Sequence, residues 1–343
     1  MPRRRSRPSG AVRRRRAIIL IVQARRGARG ISFPRTWCWL RLVISVVLLG
    51  ILLNQIELGR TLAIFGDAQP GFLALTFALV VGDRLLAAWR WYVLLRGLTR
   101  ETTYRAVLRL SLVSSFIGTF MPGGVDLVRI YGLTRTTSNL PLAFTSVLVE
   151  RLQSVLALAG LMLVGLAAAP MELPGMAMHL AWLALLLLMV AIAALMHPRP
   201  RLLAQRVLPG RWLAPARASL ARIYDCIDAY RDRPALMAWS MALTFGFQLF
   251  RVVTVLVAAW ALGLEIPILL LVALMPVVFF LTLLPISVAG GLGVREMSLV
   301  FLLGLAGIDT EASFALGLLL SLAAIITAVP GAWFYARAGV THR

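Results

Sequence analysis

The sequence predicts an all-α polytopic membrane protein: about six full spans plus two Pro/Gly-broken re-entrant hairpins, about eight membrane segments in all, with a possible inverted repeat. Three observations predict it. The 343 residues are 60% hydrophobic, where soluble domains are about 45–50% apolar. Several apolar runs reach the roughly 20 residues that a helix needs to cross a bilayer. They are continuous and rich in Leu and Ala, without the alternation of barrel strands. Two further runs are interrupted by proline and glycine beside charged residues: MPGGVDLVR (121–129) and LPISVAGGLGVREMS (284–298).

Residues 1–36 read as a disordered cytosolic tail. The net charge is +21, every basic residue is an arginine, and thirteen of the 35 arginines precede residue 42. Such a tail serves as an orientation signal and a lipid-surface contact. Arginine runs also bind nucleic acid, but no nucleic-acid fold accompanies this one, so no specific nucleic-acid partner is expected. The apolar stretch 17–22 is too short to span, and no small-residue cleavage site follows it, so no cleaved signal peptide is expected.

The membrane domain is predicted over 37–338. A first span runs over 37–53, followed by a turn with Glu57, Asp67 and Pro70-Gly71. The second span, 71–96, carries Asp83, Arg84 and Arg90, and a basic loop closes it at 96–105. Residues 106–139 form the first broken segment, bent at Pro122, Gly123 and Gly124. A long span over 141–169 holds Glu150 and Arg151, and a turn with Glu172 and Pro174-Gly175 leads to a span at 177–196. The polar, arginine-rich stretch 197–233 follows. Its later part, about 211–230, places Leu213, Leu220, Ile223, Ile227 and Tyr230 at helical spacing, which predicts an amphipathic helix on the membrane surface. Spans at 234–262 and 268–284 lead into the second broken segment, with Pro285, Gly290, Gly291 and Gly293. A short apolar piece to 307, a last span at 312–335 and a short cytosolic tail at 339–343 complete the chain.

Cytosolic loops carry the excess of arginine. The basic tail, the loop 96–105 and the stretch 197–233 therefore face the cytosol, while the acidic turns near 57–70, 170–176, 263–267 and 307–311 face outward. This predicts a multi-pass protein of the cell membrane with both termini cytosolic. Parity then constrains the broken segments. The first must start and finish on the cytosolic side, and the second on the outer side. Non-helical backbone at membrane depth is tolerated where it is buried in protein or lines a wet cavity. In transporters a pair of oppositely oriented broken segments marks a binding site near the midplane.

The charges inside apolar runs are Asp83, Arg84, Asp126, Arg129, Glu150, Arg151, Arg251, Arg295 and Glu296. A charge at the bilayer centre costs about 2.5–3.5 kcal/mol on insertion scales, so each must pair, snorkel or face a polar cavity. Asp83, Arg84 and Arg90 fit anchors at the cytosolic interface, where Trp89, Trp91 and Tyr92 form an aromatic belt. Arg251 fits a local pair or a snorkelling side chain. Arg129 and Arg295 each follow a Pro/Gly break, on a short helix whose free N–H groups favour an anion. A guanidinium there gives phosphate a bidentate partner. The same arginines fit ion pairs that lock the fold, Arg129 with Asp126 or Glu150 and Arg295 with a carboxylate. Glu150 and Arg151 point about 100° apart on a helix, so each needs its own partner.

Cys38 and Cys226 lack metal-ligand spacing, and His179, His197 and His342 are scattered. No P-loop, GxSxG or HExxH motif occurs. No catalytic residue, metal or cofactor is expected, and the chain reads as a non-enzyme.

Four stretches, in this order, carry a resemblance: RLLAAWRWYVLLRG (84–97), SSFIGTFMPGGVDLVRIYGL (114–133), VLVERLQSVLAL (147–158) and LPISVAGGLGVREMSLVFLLG (284–304). Over about 37–338 the chain resembles the flippase-like family typified by the transmembrane region of lysylphosphatidylglycerol synthases. In complete synthases a soluble aminoacyl-transferase domain follows; here the chain ends at Arg343, just after its last span, so that activity is not expected. The resemblance implies movement of a lipid, or a lipid-linked headgroup, between leaflets. On this reading the hairpins form a polar cavity in which Arg129 and Arg295 bind the phosphate of an anionic lipid, with Asp126, Glu150, Arg151 and Glu296 around them. The seven prolines and glycines of the bends allow close approach and hinge motion. Two alternatives stay open. One is a non-transporting partner of a lipid-modifying membrane enzyme. The other is a membrane-embedded transferase with Asp126, Glu150 and Glu296 as acids or metal ligands.

Overall fold

The computed structural model describes residues 56–120, 124–168, 232–283 and 291–340, with Gly50, Asp228 and Tyr230. The predicted tail 1–36, the spans at 37–53 and 177–196, nearly all of the surface helix 211–230 and the end of the chain lie outside these residues. So do Pro122, Gly123, Pro285 and Gly290.

The described elements are helices: α1 (Leu58–Gly66), α2 (Pro70–Leu98), α3 (Tyr104–Phe120), α4 (Gly124–Thr137), α5 (Leu140–Ala168), α6 (Pro234–Ala261), α7 (Ile268–Leu283), α8 (Val294–Gly304) and α9 (Thr310–Val340). Four of them, α2, α5, α6 and α9, are long and apolar enough to cross a membrane. Proline at the first helical position starts both α2 and α6, where its missing N–H costs nothing. The expected turn at 57–70 is in part a helix. Charged and breaker residues bound LGRTLAIFG, but Ile64 and Phe65 share a side that packs on the main core.

The chain repeats one plan twice: long helix, two-armed hairpin, long helix. The first unit is α2, α3–α4 and α5; the second is α6, α7–α8 and α9. Their contacts are reciprocal. α2 packs on α6, α5 on α7, α9 on α3, and each hairpin's second arm packs on its own unit's last helix. The first helices run antiparallel. Gly97 meets Leu236, Gly82 meets Phe250, and the Gln69 N–H donates to the Ala261 carbonyl at 2.9 Å. The two units are therefore inverted with respect to each other, as charge parity predicts.

Small residues make the reciprocal contacts possible, as in membrane helix pairs generally. Gly165 of α5 lies against the backbone of Val272 and Ala273 of α7, and Gly331 of α9 against the Leu112 carbonyl of α3. In the first hairpin Gly118 faces Val125 and Gly132 faces Leu110, so α3 and α4 run back along each other. The first arms of both hairpins are shorter than the long helices. The 17 residues of α3 and 16 of α7 rise about 25 Å, against about 43 Å for the 29 residues of α2. The described ends of the first arms, at Phe120 and Leu283, thus lie well inside the length of the long helices.

Candidate functional site

Between the described arms of the two hairpins lies a cavity of about 580 Å³. Gly118, Thr119 and Val125 of the first hairpin and Thr282 and Leu283 of the second contribute to its wall. Among the described residues six charged side chains line it: Asp83 and Arg84 from α2, Asp126 from α4, Arg151 from α5, Arg251 from α6 and Arg295 from α8. Arg84 is the midpoint of α2, roughly 21 Å from either end. The charges therefore gather near the middle of α2, part-way along its antiparallel packing with α6.

Each charge is positioned by a specific contact. Arg251 stacks its guanidinium 3.7 Å from the Phe279 ring centroid, donates from Nη1 to Gln248 Oε1 at 3.3 Å and lies 3.7 Å from Asp83 Oδ1. Arg84 Nη2 donates to the Ala324 carbonyl at 3.3 Å. Arg295 Nη1 donates to Ser321 Oγ at 3.2 Å. Arg151 joins both hairpins. It pairs with Asp126 of the first at 2.5 Å and donates from Nη1 to the Leu283 carbonyl of the second at 3.3 Å. Four arginines thus face two aspartates. Arg84 and Arg295 both repel Arg251, and Asp83 attracts it. Asp83 also draws Arg295, beside its neighbour Glu296. Among the described lining residues arginines outnumber aspartates, and Glu296 behind the wall offsets part of the charge of Arg295; an anion would offset the remainder.

The turn into α8 explains the glycines of the second motif. Gly291 and Gly293 have φ of 113° and 85°, a region that side chains with Cβ rarely occupy. A Cβ on Gly291 would also come 3.2 Å from Arg295 Nη2. Glu296, at the third position of α8, reaches back to accept the Gly293 N–H at 2.6 Å, the acid half of a capping box. It also accepts the Ser321 hydroxyl of α9. Its side chain is buried and does not line the cavity.

A second charged cluster lies behind the first hairpin. Glu150 of α5 is buried between Arg90 of α2, at 2.7 Å, and Arg129 of α4, at 2.8 Å. Arg90 also donates to Ser154 Oγ at 3.0 Å. The Arg129 guanidinium lies 4.0 Å from the ring centroid of Trp91, which is fully buried. Arg90 lies 4.7 Å from the Phe247 ring centroid, so each cation is matched by a carboxylate oxygen and an aromatic face, which is how buried arginines are stabilised.

The structure sorts the expected site residues into three groups. Asp126, Arg151 and Arg295 line the cavity. Arg129 and Glu150 do not; they belong to the buried triad, as the fold-locking reading of Arg129 had it. Glu296 caps α8. The three carboxylates considered as metal ligands sit in separate pairings, and no group of three metal-ligating side chains occurs among the described residues. Of the bend residues, Gly124, Gly291 and Gly293 are described: Gly124 starts α4 and is buried, and the other two form the turn.

Three expectations change. Asp83 and Arg84 line the cavity and do not anchor the helix at the interface. Arg90 is buried on Glu150, so it does not reach the interface either. Trp91 is core and not part of a belt. The sequence reading misses Arg84 and Arg251 as cavity residues; the signal that points to them is their distance from the nearest end of the apolar run. Arg251 lies ten residues before the end of α6, too deep for its side chain to reach headgroups easily.

No curated protein matches the chain. A family model does, over residues 38–331, and its description is the lysylphosphatidylglycerol synthase transmembrane region. With the matched residues covering both inverted units and every charge of the cavity, the chain belongs to the family of the lysylphosphatidylglycerol synthase transmembrane region.

Proposed function

We propose that the protein translocates an anionic phospholipid or lipid-linked headgroup between the leaflets of the cell membrane. The phosphate is held in the mid-depth cavity by Arg84, Arg251 and Arg295 while the acyl chains stay in the bilayer. The observation that carries this reading is the excess of arginine over aspartate in a cavity built from two inverted hairpins. Family membership supports a role in lipid metabolism or transport. The chemistry needed is binding and release, with no bond made or broken, so the protein acts without being an enzyme. Arg96, Arg100, Arg105 and Arg233 gather at one end of the bundle, while Glu57, Asp67, Glu265, Asp309 and Glu311 lie at the other. By the positive-inside bias the arginine end is cytosolic.

The experiment is lipid translocation in liposomes by the purified protein, with headgroup-labelled anionic and neutral lipids. Arg84→Gln, Arg251→Gln and Arg295→Gln, each checked for a monodisperse size-exclusion profile, should lower the rate for anionic lipid about tenfold or more, the effect of losing one charge-assisted contact. If the wild type moves no lipid, or the folded variants move it normally, the reading fails. In that case a supporting role beside a membrane enzyme becomes the better account.

A further inference from the structure

A second concave site lies at the arginine end of the same α2–α6 pair, about 480 Å³ in volume. Trp89, Tyr92, Val93 and Arg96 present one face of α2 to it, at the spacing that brings side chains together on a helix. Arg233 and Leu236 close it from the α6 side. The site holds two cations and no carboxylate among its lining residues. Arg96 is twelve residues from Arg84, roughly 18 Å along the helix, so the groove is separate from the central cavity.

Its shape matches a phospholipid standing at the interface. The rings of Trp89, Tyr92 and Tyr104 pack against one another at centroid distances of 5.6–5.9 Å, giving a stiff aromatic wall at the depth such residues favour. Trp89 is 44% exposed on the lipid side. Above the wall, the Arg96 guanidinium lies 5.7 Å from the Tyr92 ring centroid, and Arg233 Nη1 donates to the Gly97 carbonyl. Both guanidinium groups are thereby held at the polar end of an otherwise apolar groove. Basic pockets between helices on the cytosolic side take anionic headgroups.

We infer that this groove is a second lipid site, taking an anionic glycerophospholipid with its phosphate between Arg96 and Arg233 and an acyl chain along Trp89, Val93 and Leu236. It is a stationary site on the flank of the bundle. It does not depend on translocation through the central cavity.

The test uses the full chain in bilayers containing brominated lipid, which quenches nearby tryptophan. The Trp89 contribution is the difference between wild type and Trp89→Phe. Brominated phosphatidylglycerol should quench it at about fivefold lower mole fraction than brominated phosphatidylcholine, the effect of one interfacial arginine. Arg96→Gln, which removes an exposed side chain, should abolish most of that preference. Arg84→Gln, in the central cavity, should leave it intact. Equal quenching by the two lipids, or a preference that survives Arg96→Gln, overturns the proposal. Failure of either lipid to quench Trp89 also overturns it, because another part of the chain then covers the groove.

Discussion

In the first hairpin the second arm is tied to the scaffold by an arginine, Arg129, which reaches Glu150 on α5. In the second hairpin the residue at the same distance from its Gly-Gly pair is an acid. Arg129 and Glu296 each stand fifth after the second glycine, Gly124 and Gly291, and Glu296 reaches Ser321 on α9. The anchoring position is thus shared between the inverted units while its sign is not. The sign presented to the cavity differs as well: the first hairpin contributes Asp126, which pins Arg151, and the second contributes Arg295. The architecture needs a polar tie from the second arm to the last helix, and either charge serves if the partner matches. The cavity's surplus of arginine comes from Arg295, beside the second tie, and from Arg84 and Arg251 on the first helices of the two units.

The two ties should differ in strength. Glu150 compensates two buried arginines, so Glu150→Gln should cost about 3–5 kcal/mol and appear as loss of folded protein in a size-exclusion thermal-stability assay. Glu296→Gln keeps one oxygen to accept the Gly293 N–H, and its amide NH2 can donate to the Ser321 hydroxyl, which in the wild type donates to the second carboxylate oxygen. Its cost should be about 1 kcal/mol, in the range of hydrogen bonds between membrane helices. Equal losses in the two variants would break the comparison.

The packing contacts, by contrast, should behave alike. Gly165→Val and Gly331→Val each push a side chain into the backbone of the other unit's hairpin, and each should lower stability by about 1–3 kcal/mol. A variant tolerated in one unit and not in the other would show that the inverted contacts are not energetically equivalent.

The smallest effect is expected at the cavity pair. Arg151 and Asp126 have side chains 34% and 27% exposed, so Asp126→Asn should change the melting midpoint by the equivalent of about 1 kcal/mol or less. A much larger loss would make this pair a tie like that of Glu150.

The long helices were legible because α2, α5, α6 and α9 are apolar over more than a bilayer's thickness. The inversion was legible because arginine and acid alternate between the turns. The side on which each charge falls was less so. MPGGVDLVR and AGGLGVRE invite an alignment of arginine with arginine, yet counting from the glycines pairs Arg129 with Glu296. Each residue along a helix turns the side chain by about 100°, so one position of slippage separates the cavity from the scaffold. The same rotation divides Trp89, at the lipid surface, from Trp91, under Arg129. Nothing in the string WRWY marks which aromatic is which, because the choice is made by helices distant in sequence. α1 was hidden for a different reason: Glu57, Arg60 and Asp67 mark a surface segment, and a surface segment can be helical when one side finds apolar neighbours.

Arg84, at the midpoint of α2, also has an electrical meaning. A charge moved fully across a membrane does work of about 2.3 kcal/mol per 100 mV. An anion held beside Arg84 has traversed about half of that field, so reaching it from either side involves roughly 1.2 kcal/mol per 100 mV. On the proposed function, binding of an anionic headgroup in the cavity would be voltage-dependent. With the arginine end cytosolic, as proposed, a membrane negative inside would drive anions from the cytosolic leaflet toward Arg84 and oppose their arrival from the other.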